Sequence, residues 1–242
     1  MKVKILFLKS FVSVVFATIL IAFIARNQED DRFIAYIADP QKQDIQLYWK
    51  DSSNENFHSI QNLKSSLEKQ GKKLIFAMNG GMYKPDGSPQ GLYIENGKVL
   101  SPVGTSSDNG NFYLKPNGIL YITTDNKAVI CQTSDFKDNA KIKYATQSGP
   151  MLIIDGQIHP AFKERSANLN IRNGVGILPD GRIVFAMSKS GINFYDFAQY
   201  FKNLGCRNAL YLDGLVSRAY LPEKNWVQKD GNFGVIIGIT TK

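Results

Sequence analysis

The sequence predicts an α+β fold: a single domain of mostly antiparallel strands and hairpins, with at least two helices and one strand–helix–strand crossover. Three observations lead there. Short apolar runs recur around Asn96-Gly97, Asn117-Gly118, Asp155-Gly156 and Asp180-Gly181, and such dipeptides favour tight hairpins because both turn positions accept positive φ. Two segments, Ser59–Gln70 and Asn193–Leu204, carry apolar residues at helical spacing. Finally, Asn170–Ser217 reads as strand, turn, strand, helix, strand, and a crossover of that length normally pairs its two outer strands in parallel.

Residues 1–28 read as a signal peptide or signal anchor, and residues 29–242 as the folded domain. Lys2, Lys4 and Lys9 precede the uncharged run Ser10–Ala25, and Glu29, Asp30 and Asp31 follow it. Basic residues ahead of an apolar run stay in the cytoplasm, so the domain is expected to be exported, in the periplasm or otherwise outside the cytoplasm. From Ile5 to Ala25 only Lys9 interrupts the run, which suffices to span a bilayer if that lysine snorkels.

Beyond this segment, Arg32–Ile37 and Asp44–Trp49 read as strands. A helix over Ser59–Gln70 shows Ile60, Leu63 and Leu67 on one face and stops at Gly71. Leu74–Met78 is a buried strand leading into Asn79-Gly80-Gly81. Hairpins follow: Gly91–Glu95 with Lys98–Leu100, Asn111–Lys115 with Ile119–Thr123, and Met151–Ile154 with Gln157–His159. Val175–Leu178 and Ile183–Met187 flank the turn Pro179–Arg182. Asn193 caps a helix bearing Phe194, Phe197, Ala198, Phe201 and Leu204, and Gly205 ends it. Ala209–Leu212 then delivers Asp213-Gly214, and Val235–Thr240 is the last strand.

The chain has 242 residues, 43% hydrophobic and 12% aromatic, which fits one folded domain with a substantial core. Its formal charge is +8, but Lys2, Lys4, Lys9 and Arg26 lie in the N-terminal segment, and removing these four leaves +4. No dense basic run remains, so nucleic acid is not an expected partner. Cys131 and Cys206 are the only cysteines. One disulfide is open to an exported chain, while a packed free thiol is the simpler reading of Cys206. No spacing suits zinc or another metal, and the sequence requires no cofactor.

Asp213 is the leading candidate for chemistry. It follows an entirely apolar strand, and ligands of sheets built from such units gather at strand carboxyl ends; the plain alternative is an Asp-Gly turn. Asn79-Gly80-Gly81 also follows a buried strand and could offer backbone N–H groups to an anion, or could simply end its strand. Arg172 has the planar fork that suits phosphate, although most arginines are solvated. Glu95 is an option for a second carboxylate beside Asp213, although it precedes a hairpin turn, whereas Asp86 and Asp155 read as turn residues. Ser66-x-x-Lys69, Ser107-Asp108-Asn109 and Lys189-Ser190-Gly191 mimic the penicillin-binding serine hydrolase set. However, Ser66 lies late in its helix, where that set needs the nucleophile at a helix start.

Several motifs in order resemble a known family. FAMNGGMY (Phe76–Tyr83), GLYIENGKV (Gly91–Val99), QSGPMLIIDG (Gln147–Gly156), RNGVGILPDG, LGCRNAL and YLDG…S are similar to the phosphodiester glycosidase domain from about Lys73 to the C-terminus. The resemblance implies an exported hydrolase that cleaves a sugar from a sugar-1-phosphodiester, with an envelope glycan as the expected substrate. It implies Asp213 at the reacting centre and Arg172 and the loop Asn79, Gly80 and Gly81 on the phosphate. Ser148, Gly149, Gly214 and Ser217 would line the site. Where many members carry LDGGGSS, this chain has Asp213-Gly214-Leu215-Val216-Ser217-Arg218. Branched apolar residues thus replace glycines that would let backbone approach a ligand closely. The alternative is a non-catalytic glycan-binding domain tethered to the membrane, with Tyr83, Tyr93, Phe112 and Tyr113 stacking on sugars.

Overall fold

The computed structural model describes residues 30–139, 141–214 and 216–241. The predicted signal or anchor segment lies outside them, and among the described residues no helix is long and apolar enough to cross a membrane. Phe33–Lys242 forms one compact unit.

Period-two alternation decides how each strand is buried. In β12 (Ile183–Ser188), Ile183, Phe185 and Met187 face one apolar cluster, while Val184 and Ala186 face another. Both faces of this strand are therefore covered, which explains its unbroken apolar run. β12 belongs to a six-stranded sheet ordered β1 (Phe33–Ala38), β12, β11 (Asn173–Ile177), β13 (Ala209–Asp213), β9 (Met151–Ile154), β10 (Gln157–Ile158). A second sheet is ordered β15 (Trp226–Val227), β14 (Ala219–Leu221), β3 (Leu74–Gly81), β16 (Val235–Thr240), β2 (Asp44–Tyr48). The third is β5 (Lys98–Ser101), β4 (Tyr93–Glu95), β8 (Ile142–Ser148), β6 (Gly118–Thr123), β7 (Ala128–Gln132).

One shared core joins the three sheets: Val175, Phe185 and Leu210 from the first, Met78 and Ile237 from the second, Tyr93 and Leu120 from the third. Each helix then covers an outer face. Helix α1 (Ile60–Lys69), capped by the Ser59 side chain, lays Ile60, Leu63 and Leu67 on Ala77 and Ile236. Helix α2 (Phe194–Asn203), capped by Asn193, lays Phe197 and Phe201 on Leu152, Val184 and Tyr211.

The expected α+β class is corrected by this arrangement. Every strand pair in the three sheets is antiparallel, and the described residues hold two α-helices against sixteen strands, a mostly β architecture. The crossover does not pair β12 with β13. The tight turn at Pro179–Arg182 already seats β11 beside β12, so α2 carries the chain across β11 and β13 adds to its free edge.

Three local expectations also change. Asn111–Lys115 is a 3-10 turn over Asn111–Tyr113, not a strand, and the Asn117 side chain donates to Phe112 O to close it. β6 pairs with β7 and β8 instead. Asn79-Gly80-Gly81 is not a loop: these residues continue β3 and pair with β16, with Gly80 bulged at the register shift. Cys131 and Cys206 are free, the latter buried, and burial pushes their thiols up to about 11 and about 12.

Candidate functional site

Asp213 ends β13 beside an irregularity in the ladder. Asn173 pairs with Asp213 and Gly174 with Tyr211, so Leu212 is an extra residue that turns the end of the strand. Side chains from the first and third sheets bond the backbone at this bulge, and Asn79 of the second sheet backs one of them. The Asp213 N–H donates to Asn173 Oδ1 at 2.8 Å. Ser148, at the end of β8, donates from Oγ to Leu212 O at 2.8 Å. Asn173 Nδ2 donates in turn to both Asn79 O and Asn79 Oδ1 at 2.9 Å, and that Oδ1 also accepts the Arg218 N–H at 3.0 Å. Asn79, Ser148 and Asn173 are buried completely, and Asp213 is 8% exposed. The turn that follows is closed by Gly214 N–H donating to Asp213 Oδ1 at 2.6 Å and Ser217 Oγ donating to Asp213 O at 2.9 Å.

Asp213 opens onto a cavity of about 450 Å³. One wall is Met82–Pro85, which leaves β3; the other is Asn109–Tyr113, and Gln90 and Val216 complete it. Gln147 fixes the base of this region, accepting the N–H groups of Leu92 and Gly104 at 2.9 and 2.8 Å and donating to Gly104 O at 2.8 Å. Gly149 is required for contact, since an added Cβ would lie 2.7 Å from Asn117 Cβ and 2.9 Å from Phe112 O. Gln90 Nε2 donates to the Tyr113 hydroxyl at 2.7 Å, joining the two walls. Tyr83 lines the same cavity, and burial, then the Asp213 charge, raise its pKa. Among the described residues Asp213 is the only acid and Lys84 the only base that line the cavity.

Two predicted site residues lie elsewhere. Arg172 is 1% exposed and does not line the cavity. Its Nε donates to Ile192 O at 2.8 Å, its terminal nitrogens to Asn168 O at 2.9 Å and the Tyr211 hydroxyl at 3.4 Å, and its guanidinium carbon lies 3.6 Å from the Phe194 ring centroid. Desolvation lowers its pKa. Tyr211 packs directly under Gly214, where an added Cβ would overlap its hydroxyl. Arg172 therefore contacts the Tyr211 hydroxyl that packs under the Asp213 turn. Glu95 also stays outside the cavity; it accepts the Tyr93 hydroxyl, and burial raises its carboxyl pKa.

Asn79, Ser148, Gly149, Gly214 and Ser217 converge around Asp213 and the cavity base without themselves lining the cavity. Gly80 is set by packing, because an added Cβ would come within 2.8 Å of Ile237 Cγ1. Asn173, the centre of the network, and Lys84, which lines the cavity, are not among the residues that sequence motifs single out. A polar residue opening an otherwise apolar strand was the available signal for Asn173. No group of three or more metal-ligating side chains is found among the described residues.

The network sets two measurable expectations. Asn173→Ala leaves the buried Asp213 N–H without its acceptor and Asn79 O without its donor, so stability should fall by about 2–4 kcal/mol in denaturant titrations; a loss below about 0.5 kcal/mol would show the bridge to be incidental. Glu95 holds its proton more tightly folded than unfolded, so its contribution is most favourable at low pH and is lost as pH rises through the raised pKa. Glu95→Gln keeps an acceptor for Tyr93 and should melt higher than the parent at about pH 7, with the gap closing toward about pH 4. A gap that widens on acidification would contradict that cause.

A sequence model of the phosphodiester glycosidase family matches residues 72–236. The Escherichia coli (strain K12) protein YigE, described as uncharacterized, is 40% identical over 188 residues, 77% of this chain and 73% of that one. The fold is similar to the zebrafish N-acetylglucosamine-1-phosphodiester alpha-N-acetylglucosaminidase catalytic domain auto-inhibited by pro-peptide, with a TM-score of 0.57 and 14% identity over 90% of this chain and 86% of that one. It is also similar to a putative exported protein from Burkholderia pseudomallei K96243, with a TM-score of 0.56 and 12% identity over 86% of this chain and 73% of that one. The ordered motifs that surround Asp213, the three-sheet junction and the family match over residues 72–236 agree, and the chain belongs to the phosphodiester glycosidase family.

Proposed function

We propose that this protein hydrolyses a sugar-1-phosphodiester, with Asp213 acting at the anomeric carbon. The observation that carries the reading is the position of Asp213. It is the one acid lining the cavity among the described residues; Asn173 holds its N–H, Ser148 holds the preceding carbonyl of Leu212, and Asn79 backs Asn173. In the proposed reaction the bond from the anomeric carbon to the phosphate oxygen breaks, and its electron pair leaves with the phosphate. Water supplies the oxygen of the new bond, and Asp213 accepts the proton that water loses. The same carboxylate stabilises positive charge building on the sugar in the transition state.

A phosphate leaving group explains how one carboxylate can suffice. A sugar alkoxide must be protonated as it departs, whereas a phosphate monoester is stable as an anion at neutral pH. Glu95 outside the cavity is therefore no obstacle. Pocket walls that combine Tyr83, Phe112 and Tyr113 with Gln90 and Asn111 suit a sugar, which offers apolar faces and hydroxyl edges. Export, membrane attachment through residues 1–28 and an envelope glycan as substrate belong to the same proposal; they rest on Lys2, Lys4 and Lys9 ahead of the apolar run.

The test is turnover on a panel of sugar-1-phosphodiesters that vary in sugar and anomer, read as release of reducing sugar. Asp213→Asn should lower kcat by roughly a hundredfold or more on whichever substrate the parent cleaves, with an unchanged melting temperature. Near-parental turnover by a folded Asp213→Asn protein would make Asp213 structural. Sugar binding without turnover across the panel would favour the non-catalytic glycan-binding alternative.

A further inference from the structure

We propose that Lys84 is the residue that reads the substrate phosphate, and so sets the preference of the cavity for an anionic diester over a neutral glycoside. The inference rests on the phosphodiester reading above and supplies what that reading lacks. A diester carries a negative charge that grows on the leaving oxygens as the bond breaks, and a site selective for it needs a cation that can reach them. Arg172, expected in that role, is sealed beneath the turn with its donors engaged by Asn168, Ile192 and Tyr211. Arg218, the other arginine near the Asp213 turn, is bound through Nε to both carboxylate oxygens of Asp230 at 2.9 and 3.0 Å.

Lys84 fits on three counts. It lines the same cavity as Asp213, next to Tyr83, whose pKa responds to the Asp213 charge. No carboxylate forms an ion pair with it among the described residues. The nearest acid in sequence, Asp86, is held mainly by Ser88, whose hydroxyl and N–H donate to its carboxyl at 2.6 and 2.9 Å and lower its pKa, with the Lys84 charge a lesser cause of the same shift. The backbone from which the lysine projects is also fixed. Lys84 N–H donates to Ser88 O and Gly87 N–H to Lys84 O, both at 2.8 Å, while Trp49 Nε1 donates to Gly87 O at 3.0 Å. A hydrogen-bonded turn thus holds Lys84, exposed and in no ion pair among the described residues, at the cavity wall. Such a group interacts with phosphate as a point charge on a flexible stem, in contrast to the planar fork of an arginine.

An uncleavable probe separates this inference from the reaction itself. In a sugar phosphonate monoester, a methylene replaces the anomeric oxygen and the negative charge is kept. The full-length protein should bind it, with affinity falling as salt rises. Lys84→Met should weaken binding roughly tenfold or more and flatten the salt dependence, Lys84→Arg should stay within about threefold of the parent, and both should melt like the parent. If Lys84→Met binds the phosphonate as tightly as the parent, Lys84 is a solvated surface lysine and the inference fails, whatever the turnover. If the parent binds no phosphonate of the panel, this inference and the proposed function fail together. Binding that depends on Lys84 in a protein that cleaves no diester would keep the anion site and remove the proposed reaction.

Discussion

The side chain of Asn173 is the contact on which the rest of the site depends. One amide accepts from the Asp213 N–H and donates to both oxygens of Asn79, so it fastens the first sheet to the second at the residue where β13 ends. Ser148 adds the third sheet through Leu212 O. Sheets that share a core through apolar side chains can slide by small amounts at little cost. Buried hydrogen bonds are directional and costly to leave unmade, so they fix the register of the junction. A carboxylate placed at that junction gains a position that does not depend on the cavity loops. The adjacent wall residues Met82–Pro85 leave the same strand, β3, whose Asn79 is part of the bridge.

Much of the architecture is legible from local chemistry. Asn96-Gly97 and Asp155-Gly156 form hairpin turns with both residues at positive φ, from 47° to 83°, as the dipeptides imply. The second helix carries the expected Asn193 cap, and both helices stop at Gly71 and Gly205. What sequence could not give was partnership. Strand β8, Ile142–Ser148, is central to its sheet but contains Lys143, Thr146 and Gln147, so it lacks an apolar run to announce it. Likewise the crossover was read from the order of elements, whereas the actual pairing depends on which edge β11 had already occupied. Edge competition is a tertiary effect with no local signature.

The candidate site residues show the same division. Asp213 stands out because an acid after Ala209–Leu212 breaks an apolar pattern, and it lines a cavity. Motif glycines were visible too, but their reasons lie in packing: Gly80 against Ile237, Gly149 against Asn117, Gly214 over the Tyr211 hydroxyl. Arg172 stood out as a phosphate fork, yet it works beneath the site, stacked on Phe194 and braced against Tyr211. A surface-type sequence position said nothing about that burial. Lys84 and Asn173 carried no motif of their own and emerge only from what faces the cavity or bridges the sheets.

In the proposed reaction the anomeric carbon of a phosphodiester-linked sugar sits against Asp213. A crystal structure with the uncleavable sugar phosphonate bound should show the sugar between Met82–Pro85 and Asn109–Tyr113, with its anomeric carbon roughly 3–4 Å from a carboxylate oxygen of Asp213 or one water molecule away. A well-ordered ligand seated elsewhere, or one in this cavity with its anomeric carbon turned away from Asp213, would contradict it.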